Sequence, residues 1–224
     1  NARVASAATT GFGLSALCIA AERGWVPARA ARARAAGTLR FLAEQAPREH
    51  GWFYHWMDSR TGARVWNSEL SSIDTGILLA GVLTAKACFT ADPDIAARAD
   101  AVLDAVDYPW MLAGDPGLLS MGWYPDRGFI PSRWDTYSEG PLLYILGAAS
   151  RTHPLAPETW RGWKRDWTDY GGLRYLHPGT PIFTHQYPQA WVDLRGLRDF
   201  DGTDYFANSA LAPRAHRRFC LDLA

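Results

Sequence analysis

Apolar helical segments begin near residues 10, 72, 137 and 205, at intervals of 62, 65 and 68. Long irregular stretches rich in Gly, Pro and aromatic residues precede the last three of them. Between them lie helices of a different kind, charged on one side and opened by proline. Pro27 starts an Ala- and Arg-rich segment to about Gln45, Pro93 one to about Val106, and Pro157 one to about Asp169. The remaining expected helices are Thr10–Glu22, Ser71 or Ser72 to Phe89, Tyr137–Arg151 and Tyr205–Leu221, which makes seven in all. Short strands are expected around Met121–Ile130 and at Leu173–Leu176.

A helix that is apolar on all sides belongs in an interior. Ile77, Leu78, Leu79, Ala80, Val82 and Leu83 in one segment, and Leu142, Leu143, Tyr144, Ile145 and Leu146 in another, meet that description. The charged helices then form an outer ring, and the long loops gather at one end. Helical hairpins at near-constant spacing predict an all-α chain, an (α/α) six-hairpin toroid. Such a ring needs twelve helices. Seven imply an incomplete toroid with its C-terminal part missing, read as one partial domain over residues 1–224, and both ends read as truncations.

Composition narrows the function. Lys plus Arg and Asp plus Glu both number 23, so no basic face is set aside for phosphates, and nucleic acid is not an expected partner. No apolar run reaches the roughly 20 residues needed to span a bilayer. Aromatic residues reach 13%, with eleven Trp, an excess that suits a ligand-lining groove as well as a core. Cys18, Cys88 and Cys220 are far apart and in no motif, and are read as buried small hydrophobes. No CxxC or HExxH occurs, so no metal site and no cofactor is called for.

Three loops carry candidate chemistry. In NSELSSIDTG, Glu69 and Asp74 flank a helix start. Asp74 is either a carboxylate favoured by the helix N-terminus or a functional acid, and spacing leaves both open. In PSRWDTYSEGPLLYILG, the candidates are Arg133, Trp134, Asp135, Tyr137 and Glu139. If helical, Asp135 and Glu139 share a face, and like charges that close raise one pKa, as a general acid requires. The other reading is a capping arrangement, but a carboxylate at the mouth of an apolar helix favours function. In PIFTHQYPQAWVDLRG, Phe183, His185, Gln186, Tyr187, Trp191 and Asp193 suit a polar ring-shaped ligand. The first aromatic loop adds Trp52, Tyr54, His55, Trp56 and Trp66. Aromatic faces beside carboxylates and amides suit sugars, and glycosidic cleavage uses two carboxylates. A uronic-acid lyase would want a basic cleft and a terpene cyclase a DDxxD cluster, and neither is found here.

In order, HGWFYHWMDSRTG, ELSSIDTGILLAGVL, WDTYSEGPLLYILG, PIFTHQYPQAWVDLRG and DYFANSALAPRAHRRFC resemble the bacterial glucoamylase-like family, which includes endo-β-1,2-glucanases and the glucoamylase-like domain of cyclic β-1,2-glucan synthases. The resemblance implies an (α/α) toroid and hydrolysis of a β-glucan, most readily β-1,2-glucan, with inversion. Glu139 then corresponds to the general acid and Asp74 to a nearby essential carboxylate. Tyr54, Trp56, Glu69, Arg133, Tyr137, His185 and Gln186 line the sugar subsites, with Trp66, Asp135 and Trp191 as further contacts. The base falls in later helices. The family's non-hydrolytic, transglycosylating members make a glucan-binding domain of a larger protein the alternative. A polymeric substrate favours a periplasmic or extracellular setting.

Overall fold

The computed structural model describes residues 3–176, 179 and 181–224. The chain begins with β1 (Val4–Ser6) and α1 (Ala7–Glu22), followed by α2 (Ala28–Glu44). Four short strands follow: β2 (Arg48–Glu49), β3 (Trp52–Phe53), β4 (Trp56–Asp58) and β5 (Leu70–Ser71). Then come α3 (Ser72–Cys88), α4 (Pro93–Leu103), the single turn α5 (Tyr108–Met111), and strands β6 (Gly122–Tyr124) and β7 (Gly128–Phe129). Next are α6 (Pro141–Ala148), β8 (Trp167–Tyr170), β9 (Leu173–Leu176), α7 (Tyr187–Trp191) and α8 (Tyr205–Asp222). Among the described residues the fold is helix-rich with four small antiparallel sheets: β1–β4, β2–β3, β5–β6–β7 and β8–β9.

Helix α1 starts earlier than Thr10 because Ser6 caps it, its hydroxyl accepting from the Thr9 N–H at 3.0 Å. Its buried residues Ala7, Gly11, Leu14 and Cys18 form one stripe, which lies on α3. The two helices approach to backbone contact: a Cβ on Gly81 would sit 2.1 Å from the Gly11 carbonyl oxygen. Helix α3 is buried nearly all round from Thr75 to Val82, as its apolar sequence demands, whereas Leu83, expected in the interior, is 40% exposed where the helix runs out of the core. Helices α2 and α4 cover α1 and α3 from outside with narrower stripes, Ala31, Ala35, Leu39 and Leu42 on one and Ile95, Ala99 and Val102 on the other. Helix α6 lies beside α3, with Leu143 Cδ2 against Gly76.

Two expected helices change. The one expected over Tyr137–Arg151 is confined to Pro141–Ala148. Tyr137 donates its N–H to the Lys164 carbonyl at 2.9 Å, and Ser138 Oγ accepts from Gly140 N–H at 3.2 Å, so residues 137–140 turn instead of coiling. The one expected over Pro157–Asp169 is only a 3₁₀ turn, Pro157–Arg161. There Lys164 donates its N–H to the Asp135 carbonyl at 2.7 Å, and Trp167–Tyr170 pairs with Leu173–Leu176 across Gly171-Gly172, both at positive φ. A Gly-Gly pair between β-formers is a hairpin signal that outweighs the proline start. The chain is helix-rich with small strands, among them β6, β7 and β9, which fall where short strands are expected, beside others that the all-α expectation does not include. Of the cysteines, Cys18 is buried, whereas Cys88 and Cys220 are exposed, contrary to the expectation that all three are interior.

Candidate active site

The starts of α3 and α6 lie side by side, and hydrogen bonds fix them there. The Trp134 indole N–H donates to Ser72 Oγ at 2.8 Å, and Ser72 donates in turn to the Ser120 carbonyl at 2.8 Å. Tyr144, within α6, donates its hydroxyl to the Trp134 carbonyl at 3.0 Å. The block WDTYSEG is thus tied through its first residue, Trp134, both to the first residue of α3 and to α6. Thr75 Oγ1 accepts from the Phe53 N–H at 3.1 Å, which brings the first aromatic loop to the same place.

Asp74 occupies the first turn of α3. The cap is Ser71, whose Oγ accepts from the Asp74 N–H at 3.2 Å and donates to Asp74 Oδ2 at 2.5 Å. The other oxygen, Oδ1, lies 3.6 Å from His55 Nε2. On its far side His55 meets Glu69 through Nδ1, 2.8 Å from Oε1. A line of groups runs Glu69–His55–Asp74–Ser71. The hydrogen bond to Glu69 raises the His55 pKa, and the same bond lowers that of Glu69. Burial raises Asp74, against the pull of Ser71 and His55.

Glu139 stands one residue before the Gly140 that leads into α6. Its carboxyl makes no hydrogen bond with the described residues. Burial, and then the charge of Asp74, push its pKa up to about 7. The partner that raises it is Asp74 across the helix starts, not Asp135. The chain is not helical over residues 135–139, so the shared helical face expected for Asp135 and Glu139 does not form. Asp135 lies half-buried, its main chain bonded to Lys164.

Aromatic rings border this acidic group. Trp56 stacks on the His55 ring at 4.5 Å with planes 17° apart, and Trp66, 63% exposed, tilts against Trp56 at 5.4 Å. His55, expected as a ligand contact, bridges Glu69 and Asp74, which are too distant from it in sequence for spacing to reveal the link.

Other expected contacts lie elsewhere or are sealed. The Arg133 guanidinium donates to the carbonyls of Leu112 and Leu118 at 2.7 and 3.3 Å, which directs it to the end of α5. His185 is fully buried and Tyr137 is 3% exposed; their rings lie 5.3 Å apart, with Tyr205 stacked 5.9 Å from Tyr137. Buried this deeply, neither offers a surface to a ligand in this structure. Tyr54 is buried in a bridge to Leu70, beneath the Arg64 guanidinium. Gln186 is exposed just before α7. Trp191 leans on Phe12 of α1 and donates its indole N–H to Ser15 Oγ at 3.0 Å.

Residues 131–224 match a family model described as "Putative glucoamylase". The fold aligns with a "putative glucoamylase" from Bacteroides uniformis with a TM-score of 0.91 at 25% identity, over 99% of this chain and 58% of that one. An endo-β-1,2-glucanase from Chitinophaga pinensis, in complex with sophorotriose and glucose, aligns at 0.87 and 27% identity, over 98% and 57%. The chain is similar to a glucoamylase-like family with β-1,2-glucanase relatives. A β-1,2-glucanase from Parabacteroides distasonis shares the fold, with a TM-score of 0.88 at 21% identity over 98% of this chain and 36% of that one. No curated protein matches the chain. The chain spans less than three-fifths of the length of each of these structures (58%, 57% and 36%). No described helix is long and apolar enough to cross a membrane, and the described residues hold no cluster of ligands for a metal ion.

Proposed function

We propose that this chain is the greater part of an inverting glycoside hydrolase acting on β-glucan, with β-1,2-glucan the leading substrate, built on one partial (α/α) toroid. The observation that carries the reading is Glu139, a half-buried carboxyl with a pKa of about 7 beside Asp74 and a rim of Trp56 and Trp66. A carboxyl that keeps its proton near neutral pH can give it to a leaving glycosidic oxygen. In the proposed step the C–O bond breaks as Glu139 protonates that oxygen. A water attacks the anomeric carbon from the opposite face and passes its proton to a base. Inverting enzymes space the two carboxyls about 6.5–9.5 Å apart to admit that water. We assign the base to the part of such proteins that residues 1–224 do not span, consistent with the 57–58% coverage of the first two relatives.

Asp74 has a double part in this reading. Its charge helps hold the proton on Glu139, and in this reading its Oδ1, turned to His55, accepts from a sugar hydroxyl. The partial coverage also favours a second reading, a glucan-binding or transglycosylating domain of a larger protein.

Reducing-end release from β-1,2-gluco-oligosaccharides separates the two, with the anomer of the product followed by NMR and binding by calorimetry. Hydrolysis that yields the α-anomer first, and is lost in Glu139→Gln, supports the hydrolase. Binding without turnover by the full-length protein supports the domain reading, and undiminished hydrolysis by Glu139→Gln removes Glu139 from the acid's part.

A further inference from the structure

Where α1 and α3 touch, neither helix has room for a side chain. A Cβ on Gly11 would lie 2.3 Å from the Ile77 carbonyl oxygen, and one on Gly81 would lie 2.1 Å from the Gly11 oxygen. Beyond this contact each helix runs seven residues to a cysteine, from Gly11 to Cys18 and from Gly81 to Cys88. Seven residues are close to two full turns, so each cysteine returns to the face its glycine presents to the other helix. The side chains agree. Cys18 is 6% exposed, and its Sγ lies 3.8 Å from the Thr84 carbonyl oxygen, one turn before Cys88.

We propose that Cys18 and Cys88 form a thiol pair that takes a low-molecular-weight disulfide as oxidant and closes into a covalent α1–α3 link. The two thiols differ in access. Cys88 is exposed at the end of α3, whereas burial and the neighbouring Cys88 push the Cys18 pKa up to about 12. The exposed thiol therefore reacts first. The Cys88 thiolate attacks one sulfur of the small disulfide, forms a mixed disulfide and expels one small thiolate. Cys18 then gives up its proton and attacks the Cys88 sulfur, which forms the protein disulfide and expels the second small thiolate. Two protein thiols are oxidised, one small disulfide is reduced to two thiols, and the two protons pass to the products. Because Cys18 holds its proton tightly, the second step is slow and speeds up with pH. The link joins two helices of the core at the end opposite Asp74.

The test is native oxidation of the full chain with oxidised glutathione at about pH 8.5, then alkylation, digestion and mass spectrometry without reduction. The expected product joins the Cys18 and Cys88 peptides and is two hydrogens lighter than the pair. Tm should rise by about 5–15 °C and return on reduction, as expected for a bridge closing a long loop. Cys220→Ser should keep the link, and Cys88→Ser should lose both link and Tm rise while its reduced Tm stays near that of the parent. Three results would overturn the proposal: Cys88 halted at the mixed disulfide with Cys18 still a thiol, a link that forms only in denaturant, or one that lowers Tm.

Discussion

Replacing Glu139 by Gln should stabilise the protein, and only at neutral to alkaline pH. A carboxyl with an ordinary pKa of 4.5 is held at about 7 in the fold. Between those values the folded chain binds more protons than the unfolded chain, so stability falls as pH rises through the window. Below about 4.5 both forms are neutral and Glu139 costs nothing. Above about 7 the full cost is present. At 1.36 kcal/mol per pH unit the interval is worth about 3 kcal/mol, and residual exposure of the side chain brings it to roughly 1–3 kcal/mol. Gln keeps the shape and drops the charge. At about 2–4 °C per kcal/mol for a chain of this size, Glu139→Gln should melt about 3–10 °C higher at pH 8.5 and within about 1 °C of the parent at pH 4.5. Differential scanning calorimetry at the two pH values reads it directly. A variant that melts lower at pH 8.5, as one that has lost a stabilising ion pair would, or one that shifts by the same margin at both pH values, would refute the reasoning. Stability gained by losing the proposed acid is the trade expected of a strained functional group.

The ring of His55 should titrate above 6.5 by NMR, and Glu69→Gln should bring it down, since the Glu69 bond is the larger cause of the shift. Its stabilisation is present below 6.5 and lost as pH rises through the folded value, so His55→Gln should cost about 1–2 kcal/mol near pH 6 and less at pH 9, read by urea titration. Gly81→Ala should lower Tm by several degrees or prevent folding, because its methyl meets the Gly11 carbonyl and neither backbone can yield cheaply; circular dichroism melts would show it. Asp199→Ala should cost about 3–5 kcal/mol, because Asp199 accepts from Tyr205 Oη at 2.7 Å and pairs with the mostly buried Arg165 at 3.3 Å, which would lose its counter-charge. Denaturant unfolding beside an Arg165→Met, Asp199→Ala double variant separates loss of the pair from a charge left alone.

What could be read in the sequence was what depends on local pattern. The buried helices α3 and α6 announced themselves by apolar residues on every side, and α2 and α4 by one narrow stripe behind a proline. Pro157 predicts a helix to about Asp169, but Gly171-Gly172, both at positive φ, turn Trp167–Tyr170 back onto the expected strand Leu173–Leu176. The error at Tyr137 came from main-chain bonding to Lys164, a residue too far along the chain for periodicity to register. Asp74 and Glu139 were legible because each is an isolated acid at the start of an apolar helix. Their nearness was not, since it depends on Trp134 reaching Ser72 across the fold. For the same reason Arg133, Tyr137 and His185, plausible sugar contacts by type, proved to be held by carbonyls or enclosed by other rings.

The coupling between the two carboxyls can be measured without substrate. With the Glu139 side chain labelled with ¹³C at the carboxyl, a pH titration should give a midpoint near 7 that moves down in Asp74→Asn. A midpoint near 4.5, or one that ignores Asp74→Asn, would contradict the picture of a proton held between the starts of α3 and α6.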